Sequence, residues 1–384
     1  MRVCTLAAVK DRVVLGQPLP FSVRDGNRVL LLAKGQVIQD ENHLSDLFRR
    51  GAMVEADELL AAVQPKAARE ALQERENPVL RLARLPSDWD RTTQDVRLAL
   101  LAPADQLGRA VQNATTLLLE LIDCSPDVAL SQIVRQPESL SGHYGVSHSI
   151  HAATACLSAA RYLGWDPTSQ RRAFQAALTM NLGMLDLQAR LASQVSPLTH
   201  NQREAINHHP VRSAEMLSDA GVSDGDWLEA VIQHHEMPDG SGYPKGITDI
   251  VELAEMLRFA DVYTARLSAR AGRPAMSAQQ AGRELHQMSD SSPLAGALIK
   301  AFGIFPPGST VRLASGEMGI VVKNGDKAHH PLVAVLTNTN GEPRITPATR
   351  DTARETHRIV ALMPQSALPM RLSDERIASL IGAP

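Results

Sequence analysis

The chain has 384 residues, which is long enough for two or three domains. Its 44% hydrophobic and 21% charged residues are ordinary for a globular protein, and 39 basic against 42 acidic side chains leave a formal net charge of -3. This balance excludes the strong overall positive field that is typical of proteins binding nucleic acid or anionic membranes through charge alone.

The start of the chain and its cysteines bear on the compartment. No apolar run approaches the roughly 18 residues that a membrane span needs. Charged residues, among them Lys10, interrupt the first residues too early for the apolar core of about 7–15 residues found in a signal peptide. Cys4, Cys124 and Cys156 are odd in number, lie far apart and form no CxxC pair. We therefore expect reduced thiols, a cytoplasmic protein and no membrane span.

Residues 1–60 are predicted to form a small β-rich N-terminal module. Short apolar runs are broken by turns, as where residues 29–32 follow the turn-like residues 25–27. An amphipathic piece at 43–50 is expected to close the module. Residues 61–125 begin charged and mixed, and we expect a helical linker there.

Residues 126–303 show the pattern of a helical domain, in which small apolar residues such as Ala152 and Cys156 recur at spacings of three and four. Strand-like runs separated by Gly- or Asn-containing turns then predict a small C-terminal β module over 304–363, followed by a tail, 364–384. The predicted fold class is mainly α, with a helical bundle between two small β modules.

The histidines are concentrated in the helical part, and two of them lead into an unusual loop. His234 and His235 are followed by Glu-Met-Pro-Asp-Gly-Ser-Gly-Tyr-Pro at 236–244. A lone helical histidine is more often a satisfied core or surface residue than a ligand. A pair that runs into a Gly/Asp/Pro loop instead indicates metal ligands followed by a shaped turn that faces a ligand. A structural hairpin would explain the glycines and prolines but not the histidine pair.

Residues 234–244 resemble the signature of the HD-GYP family, metal-dependent phosphodiesterases that act on cyclic di-GMP. The resemblance covers roughly residues 140–285, where further pieces of the family pattern follow in the same order. These pieces are His148-Ser149-Ile150-His151-Ala152, Ala176-Ala177-Leu178 with Gly183, Leu198-Thr199 with His208-His209-Pro210, and Phe259-Ala260-Asp261-Val262-Tyr263. The resemblance implies an HD-GYP helical bundle that works in cyclic di-GMP signalling.

The resemblance also places the family's metal ligands on five residues. They are His148, His209, His234, His235 and Asp261. Imidazole nitrogen and carboxylate oxygen together suit a borderline divalent transition ion such as Fe, Mn or Zn. His208 is expected to face solvent. Tyr144 lies one helical turn before His148, on the same face, where many members with three metals have a glutamate, so we expect no third metal.

The paired His-Asp of the family is missing. Its positions fall on Met180 and Asn181, and that of the following lysine falls on Met184, so the resemblance assigns no catalytic residue to this chain. A neutral amide cannot bridge two metals as a carboxylate does, and a thioether is too soft for these ions. Without a bridge, two divalent ions about 3.5–4 Å apart repel one another with little compensation. We expect at most one metal ion, and neither a dinuclear nor a trinuclear site.

Six residues are expected to contact a nucleotide. They are Arg270, Arg273, Gly240, Gly242, Tyr243 and Pro244. The two arginines match basic positions that contact the dinucleotide phosphates in the family; three apart on a helix, they can share a face and fork onto phosphate oxygens. A solvated charged face is the alternative. The glycines are expected to supply positive φ in a tight loop, and Tyr-Pro to form its wall.

Three functional interpretations follow from this combination. The first is a cyclic di-GMP signalling protein with a degraded metal site. It binds cyclic di-GMP or a related dinucleotide, a signalling protein at the GYP loop (residues 237–244), or both. The second is a residually active metal-dependent phosphodiesterase. The third is a scaffold that binds neither nucleotide nor metal. We expect no nucleic-acid partner.

Overall fold

The computed structural model describes residues 3–55, 58, 78–135 and 144–382. The chain forms two compact units, residues 1–78 and 79–384. The prediction of a helical linker over residues 61–77 lies outside the described residues.

The first unit combines a small antiparallel sheet with one α-helix. Its described strands and helix are β1 (Val3–Thr5), β2 (Val23–Arg24), β3 (Leu30–Leu32), α1 (Glu41–Arg49) and β4 (Met53–Glu55), and the strand order is β1-β4-β2-β3. Asp40 caps α1, because its Oδ1 accepts a hydrogen bond from the His43 backbone N–H at 2.8 Å. Leu44 and Leu47 of this helix are buried together with Val54 of the sheet. The predicted N-terminal β module is therefore confirmed.

The second unit is built on a helical bundle. The helices that the structure describes in it are α2 (Pro78–Leu100), α3 (Ala104–Cys124), α4 (Pro126–Arg135), α5 (Tyr144–Tyr162), α6 (Pro167–Thr179), α7 (Leu185–Ser193), α8 (His200–Asp219), α9 (Gly225–Gln233), α10 (Glu252–Leu267), α11 (Ala278–Met288) and α12 (Pro293–Phe302). Thr199 starts α8 with a capping box, in which its hydroxyl and the Gln202 side chain satisfy each other's backbone N–H groups.

Helix α5 lies at the centre of this bundle. Most of its residues are buried, and its fully buried alanines, among them Ala152, Ala155 and Ala159, leave room for neighbouring helices to approach closely. Close packing holds buried side chains in fixed directions. The histidines and the tyrosine that α5 contributes to the candidate site therefore have rigid backbones.

A second antiparallel sheet follows the bundle. Its strands are β5 (Thr310–Leu313), β6 (Met318–Lys323), β7 (Leu332–Thr337), β8 (Pro343–Asp351) and β9 (Ile359–Leu362), in the order β8-β7-β6-β5-β9. Helix α13 (Asp374–Ile381) lies in the segment that the sequence leaves as a tail. Its Ile377 is buried with Ile320 of β6 and Val128 of α4, so this segment belongs to a common core with the sheet.

The predicted fold class, a helical bundle between two small β modules, is confirmed. The domain boundaries drawn from the sequence stay a prediction. Helices α2 and α3 lie within the stretch expected to be a linker, and Trp89, Val96 and Leu118 from them are buried in the core of the bundle. Among the described residues, no helix is both long and apolar enough to cross a membrane.

Candidate metal and ligand site

Three imidazoles meet between α8 and the end of α9. One ring nitrogen from each of His209, His234 and His235 lies within 4.8 Å of the others. Helix α9 ends at Gln233, so the histidine pair follows directly from its last turn. In the described part of the chain, no other group of three His, Cys, Asp or Glu side chains brings its ligand atoms this close.

The orientation of His209 follows from the proline beside it. Pro210 lies inside α8 and has no N–H, so it cannot donate to the carbonyl oxygen four residues earlier, that of Ile206. The Nδ1 of His209 instead lies 2.6 Å from that oxygen. His234 is oriented in the same way by the last turn of α9, where its Nδ1 lies 2.6 Å from the carbonyl oxygen of Val231.

These two contacts determine which nitrogens are free. A carbonyl oxygen can only accept, so Nδ1 carries the proton in both rings and Nε2 presents a lone pair. The two Nε2 atoms lie 3.2 Å apart. Burial, helped by the neighbouring histidines, lowers the pKa of His209, His234 and His235 from 6.5 to about 3, so all three are neutral near pH 7. Converging neutral imidazoles with lone pairs turned inward fit a divalent transition ion.

His148 and Asp261 are paired with each other rather than joined to this cluster. The Nε2 of His148 donates to Oδ1 of Asp261 at 2.7 Å, and the imidazole is buried. Burial opposes ionisation of Asp261, but the hydrogen bond and charge of His148 hold the pKa of that carboxyl well below its usual range. Of the five predicted ligands, the structure thus brings three together and places the other two in a neighbouring hydrogen-bonded pair.

The positions of the missing His-Asp are buried. Met180 and Asn181 follow the end of α6 and are inaccessible, whereas Met184 is half-buried. Among the residues that the structure describes, neither Oδ1 nor Nδ2 of Asn181 has a hydrogen-bond partner, and the same holds for both ring nitrogens of buried His151. Leaving such a group unsatisfied costs about 1–3 kcal/mol. An amide in this state fits a neighbouring water or ligand atom, but it supplies no charge to balance a second metal.

Glu236 fixes the end of the GYP loop through hydrogen bonds to the backbone. Its buried carboxylate accepts hydrogen bonds from the backbone N–H groups of Lys245, Gly246 and Ile247 at 2.8, 2.9 and 3.2 Å. Sequence reasoning missed this residue, although it is the one acidic side chain between the histidine pair and the loop. A carboxylate that accepts three backbone hydrogen bonds fixes the path of the chain around the site.

The two glycines of the loop serve different purposes. Gly240 has a φ of 75°, as predicted. The prediction of positive φ at Gly242 was wrong, because Gly242 is needed for close approach: a Cβ there would lie 2.4 Å from the backbone nitrogen of Met237. The Tyr243–Pro244 peptide bond is cis, and the Tyr243 ring stacks on His235 with centroids 4.6 Å apart. Tyr243 thus forms a wall of the histidine cluster.

The expectation that Arg270 and Arg273 share a helix face was also wrong. Helix α10 ends at Leu267, and the two arginines exchange backbone hydrogen bonds across a tight Ala-Gly turn. The guanidinium of Arg273 folds back onto the carbonyl oxygens of Ala265 and Ser268, where it caps the end of α10. Only Arg270 turns towards α5.

Arg270 meets the face of α5 that carries His148. Its Nε and Nη2 donate to the Tyr144 hydroxyl oxygen at 2.8 and 2.6 Å, and its guanidinium carbon lies 4.8 Å from the centroid of the tyrosine ring. The rings of Tyr144 and His148 stack with centroids 5.7 Å apart, which confirms their predicted common helix face. His208 is exposed, also as predicted.

A further cation that sequence reasoning missed lies beneath the GYP loop. Arg258 of α10 is only 6% exposed, and its Nη1 donates to the sulfur of Met237 at 3.3 Å. Its guanidinium also lies 4.6 Å from the centroid of the Phe259 ring. Burial lowers the pKa of this guanidinium below its usual value. No periodic pattern indicates its burial, because a single charged residue within a helical pattern is normally expected to be exposed.

Comparison with known proteins gives one family model and several relatives. Residues 128–294 match the family model described as HD domain. The chain is 28% identical over 285 residues to the cyclic di-GMP phosphodiesterase PA4108 of Pseudomonas aeruginosa. The aligned region covers 70% of this chain and 67% of that protein. A solved structure, Bd1817, a HDG"Y"P protein from Bdellovibrio bacteriovorus, aligns with a TM-score of 0.47 and 16% identity over 78% of this chain and 97% of that chain.

Two further relatives match shorter parts. The cyclic di-GMP phosphodiesterase PdeB of Borreliella burgdorferi is 28% identical over 28% of this chain and 28% of its own length. The 3'3'-cGAMP-specific phosphodiesterase 1 of Vibrio cholerae is 24% identical over 39% of this chain and 35% of its own length. The HD-domain match spans the histidine cluster and the GYP loop, and together with the first relative it confirms the resemblance to the HD-GYP family.

Proposed function

We propose that this protein binds cyclic di-GMP, or a related dinucleotide, at a site that holds at most one divalent transition ion and hydrolyses the ligand slowly or not at all. The observation that carries this proposal is the combination of three converging neutral imidazoles with Asn181, an uncharged residue whose side chain has no hydrogen-bond partner in the described part of the chain. The relatives are named as phosphodiesterases of cyclic dinucleotides, which supports the ligand class.

The donor set supports one ion rather than two. His209, His234 and His235 would hold it, and the bound ion would supply positive charge to a phosphodiester oxygen. The predicted carboxylate ligand, Asp261, is already paired with His148 at 2.7 Å. No charged group replaces the bridging carboxylate at Asn181, so a second divalent ion would meet uncompensated repulsion.

The protein's own side chains would contribute orientation and charge. Arg270 is the predicted phosphate contact whose guanidinium faces the site, whereas that of Arg273 is occupied by backbone carbonyls. The GYP loop, fixed by Glu236, would form the wall against which the ligand lies. A signalling protein that docks on this loop stays a prediction.

A residually active phosphodiesterase is the alternative. The observation that favours it is that the three-imidazole cluster is complete even though the His-Asp pair is absent. Such an enzyme would turn over cyclic di-GMP with a single ion and with Arg270 balancing the phosphate charge.

The test combines elemental analysis of the purified protein with a cyclic di-GMP titration and a hydrolysis assay. We expect about one transition ion per chain or fewer, saturable binding, and little linear product. His209→Gln should abolish metal retention, and His208→Gln, at the exposed neighbouring position, is the matched control. Two or more tightly bound ions, or brisk hydrolysis that a chelator abolishes, would contradict this proposal and support the active phosphodiesterase. If the protein binds neither cyclic di-GMP nor metal, the scaffold interpretation remains.

A further inference from the structure

We infer that Tyr144 is a positioning residue that holds Arg270 at the His148 side of the site, so that a side-chain cation, not a metal ion, meets the phosphodiester there. This inference rests on the proposed function for its ligand. It concerns a position where the resemblance expects a carboxylate ligand of a third metal, and where this chain places a phenol and a guanidinium instead.

The contact is double and directional. The Nε and Nη2 groups of Arg270 both donate to the one hydroxyl oxygen of Tyr144, at 2.8 and 2.6 Å, while the guanidinium also lies over the ring. In the part of the chain that the structure describes, this hydroxyl is the one hydrogen-bond acceptor found for the Arg270 side chain. Without it, the long side chain has no polar group to fix its direction.

Both ends of the contact are anchored. Tyr144 begins α5, and its ring is stacked on buried His148, which is in turn bonded to Asp261. On the other side, the turn that carries Arg270 is closed by paired backbone hydrogen bonds with Arg273, and the Ala271 N–H donates to the carbonyl oxygen of Ala192 at 2.8 Å. The hydroxyl thus connects two rigid segments through one flexible side chain.

A phenol can hold the cation without cancelling its charge. A phenol has an ordinary pKa of about 10, so the hydroxyl is neutral at neutral pH. A carboxylate at this position would form an ion pair with Arg270 and reduce its attraction for an anion. With tyrosine, the guanidinium keeps its full charge and its remaining N–H groups for a phosphate oxygen.

A double-mutant cycle tests this role. Tyr144→Phe keeps the ring and its stacking but removes the hydroxyl, and we expect it to weaken cyclic di-GMP binding about 3- to 10-fold, as for loss of one hydrogen-bonding group. Arg270→Ala should weaken binding more, and Tyr144→Phe should have no further effect in that background, because Tyr144 acts through Arg270. Tyr162→Phe, at the exposed far end of the same helix, is the matched control.

A measurement without ligand tests whether the hydrogen bond between Arg270 and Tyr144 forms. In a proton–nitrogen correlation NMR spectrum of the arginine Nε–H groups, the Arg270 signal should be protected from solvent exchange in the parent. In Tyr144→Phe the signal should be lost or should exchange fast. An unprotected parent resonance, or effects of the two substitutions that simply add, would overturn the positioning role while leaving the proposed function standing. A parent protein that binds no cyclic di-GMP would overturn the proposed function, and with it the phosphodiester as the partner of this cation.

Discussion

Acid should destabilise the metal-free protein through its histidine cluster. The pKa of His209 is 6.5 ordinarily and about 3 in the fold, mainly because of burial. Above about pH 6.5 neither the folded nor the unfolded state binds this proton, so the free energy of unfolding does not depend on it. Below that pH the unfolded chain binds a proton at His209 that the folded chain does not bind. The free energy of unfolding therefore falls until the pH reaches the pKa of His209 in the folded protein.

The size of the effect follows from the two pKa values. Each pH unit in this window costs about 1.4 kcal/mol per histidine, so one such group removes about 2 kcal/mol between pH 6.5 and pH 5. Replacing His209 by glutamine removes one titrating group. The loss of stability between pH 7 and pH 5 should therefore be smaller in His209→Gln than in the parent by about 2 kcal/mol.

The assay is urea unfolding of chelator-treated protein at both pH values, followed by circular dichroism. The comparison uses the pH-induced change in each protein, so the direct cost of the substitution cancels. His208→Gln, at the exposed position, should behave as the parent does. Equal losses in the parent and in His209→Gln would mean that His209 is not held as a buried neutral imidazole, and the argument for the metal cluster would lose its basis.

Three other outcomes are expected. Arg270→Ala should weaken cyclic di-GMP binding about 10- to 100-fold in a calorimetric titration, the cost of a charge-assisted contact, and an unchanged curve would exclude Arg270 as a ligand contact. Glu236→Gln should lower the free energy of unfolding by about 1.5–3 kcal/mol in thermal melts, since an amide cannot accept all three backbone N–H groups; full stability would contradict the role given to the buried carboxylate. The triple change Met180→His, Asn181→Asp and Met184→Lys should raise metal content towards two ions by elemental analysis and produce measurable hydrolysis, whereas single changes should do little because these groups act as a unit. A triple variant that retains the metal content of the parent would mean that these three positions do not account for the missing second metal ion.

The sequence predicts those parts of the molecule that depend on short-range periodicity. Tyr144 and His148 are four apart on a helix, so their common face follows from helical geometry alone, and the β modules follow from apolar runs between turns. The histidine pair likewise follows from its adjacency to a Gly/Pro loop. These features need no knowledge of which distant segments meet.

Features that depend on tertiary contacts could not be predicted in this way. Arg273 reads as part of a helix until the end of α10 at Leu267 is known, and its capping of that helix is a contact that no spacing reveals. The loop pattern predicts only a permissive φ for Gly242, whereas the fold requires glycine because the backbone of Met237 passes within 2.4 Å of where a Cβ would stand. The pairing of His148 with Asp261 joins residues 113 positions apart.

The proline within α8 has a consequence for how this protein can evolve. An alanine at Pro210 would restore a backbone N–H that competes for the Ile206 oxygen, and it would remove a penalty of about 3 kcal/mol for proline in a helix interior. Selection for thermal tolerance alone would therefore favour that change. The same change would weaken the hydrogen bond between His209 Nδ1 and the Ile206 oxygen, so the His209 ring could rotate and change tautomer. The helix would gain stability while the cluster lost the fixed orientation of one imidazole. A chain that keeps the His-Pro pair retains a less stable helix in return for a histidine that points in one direction.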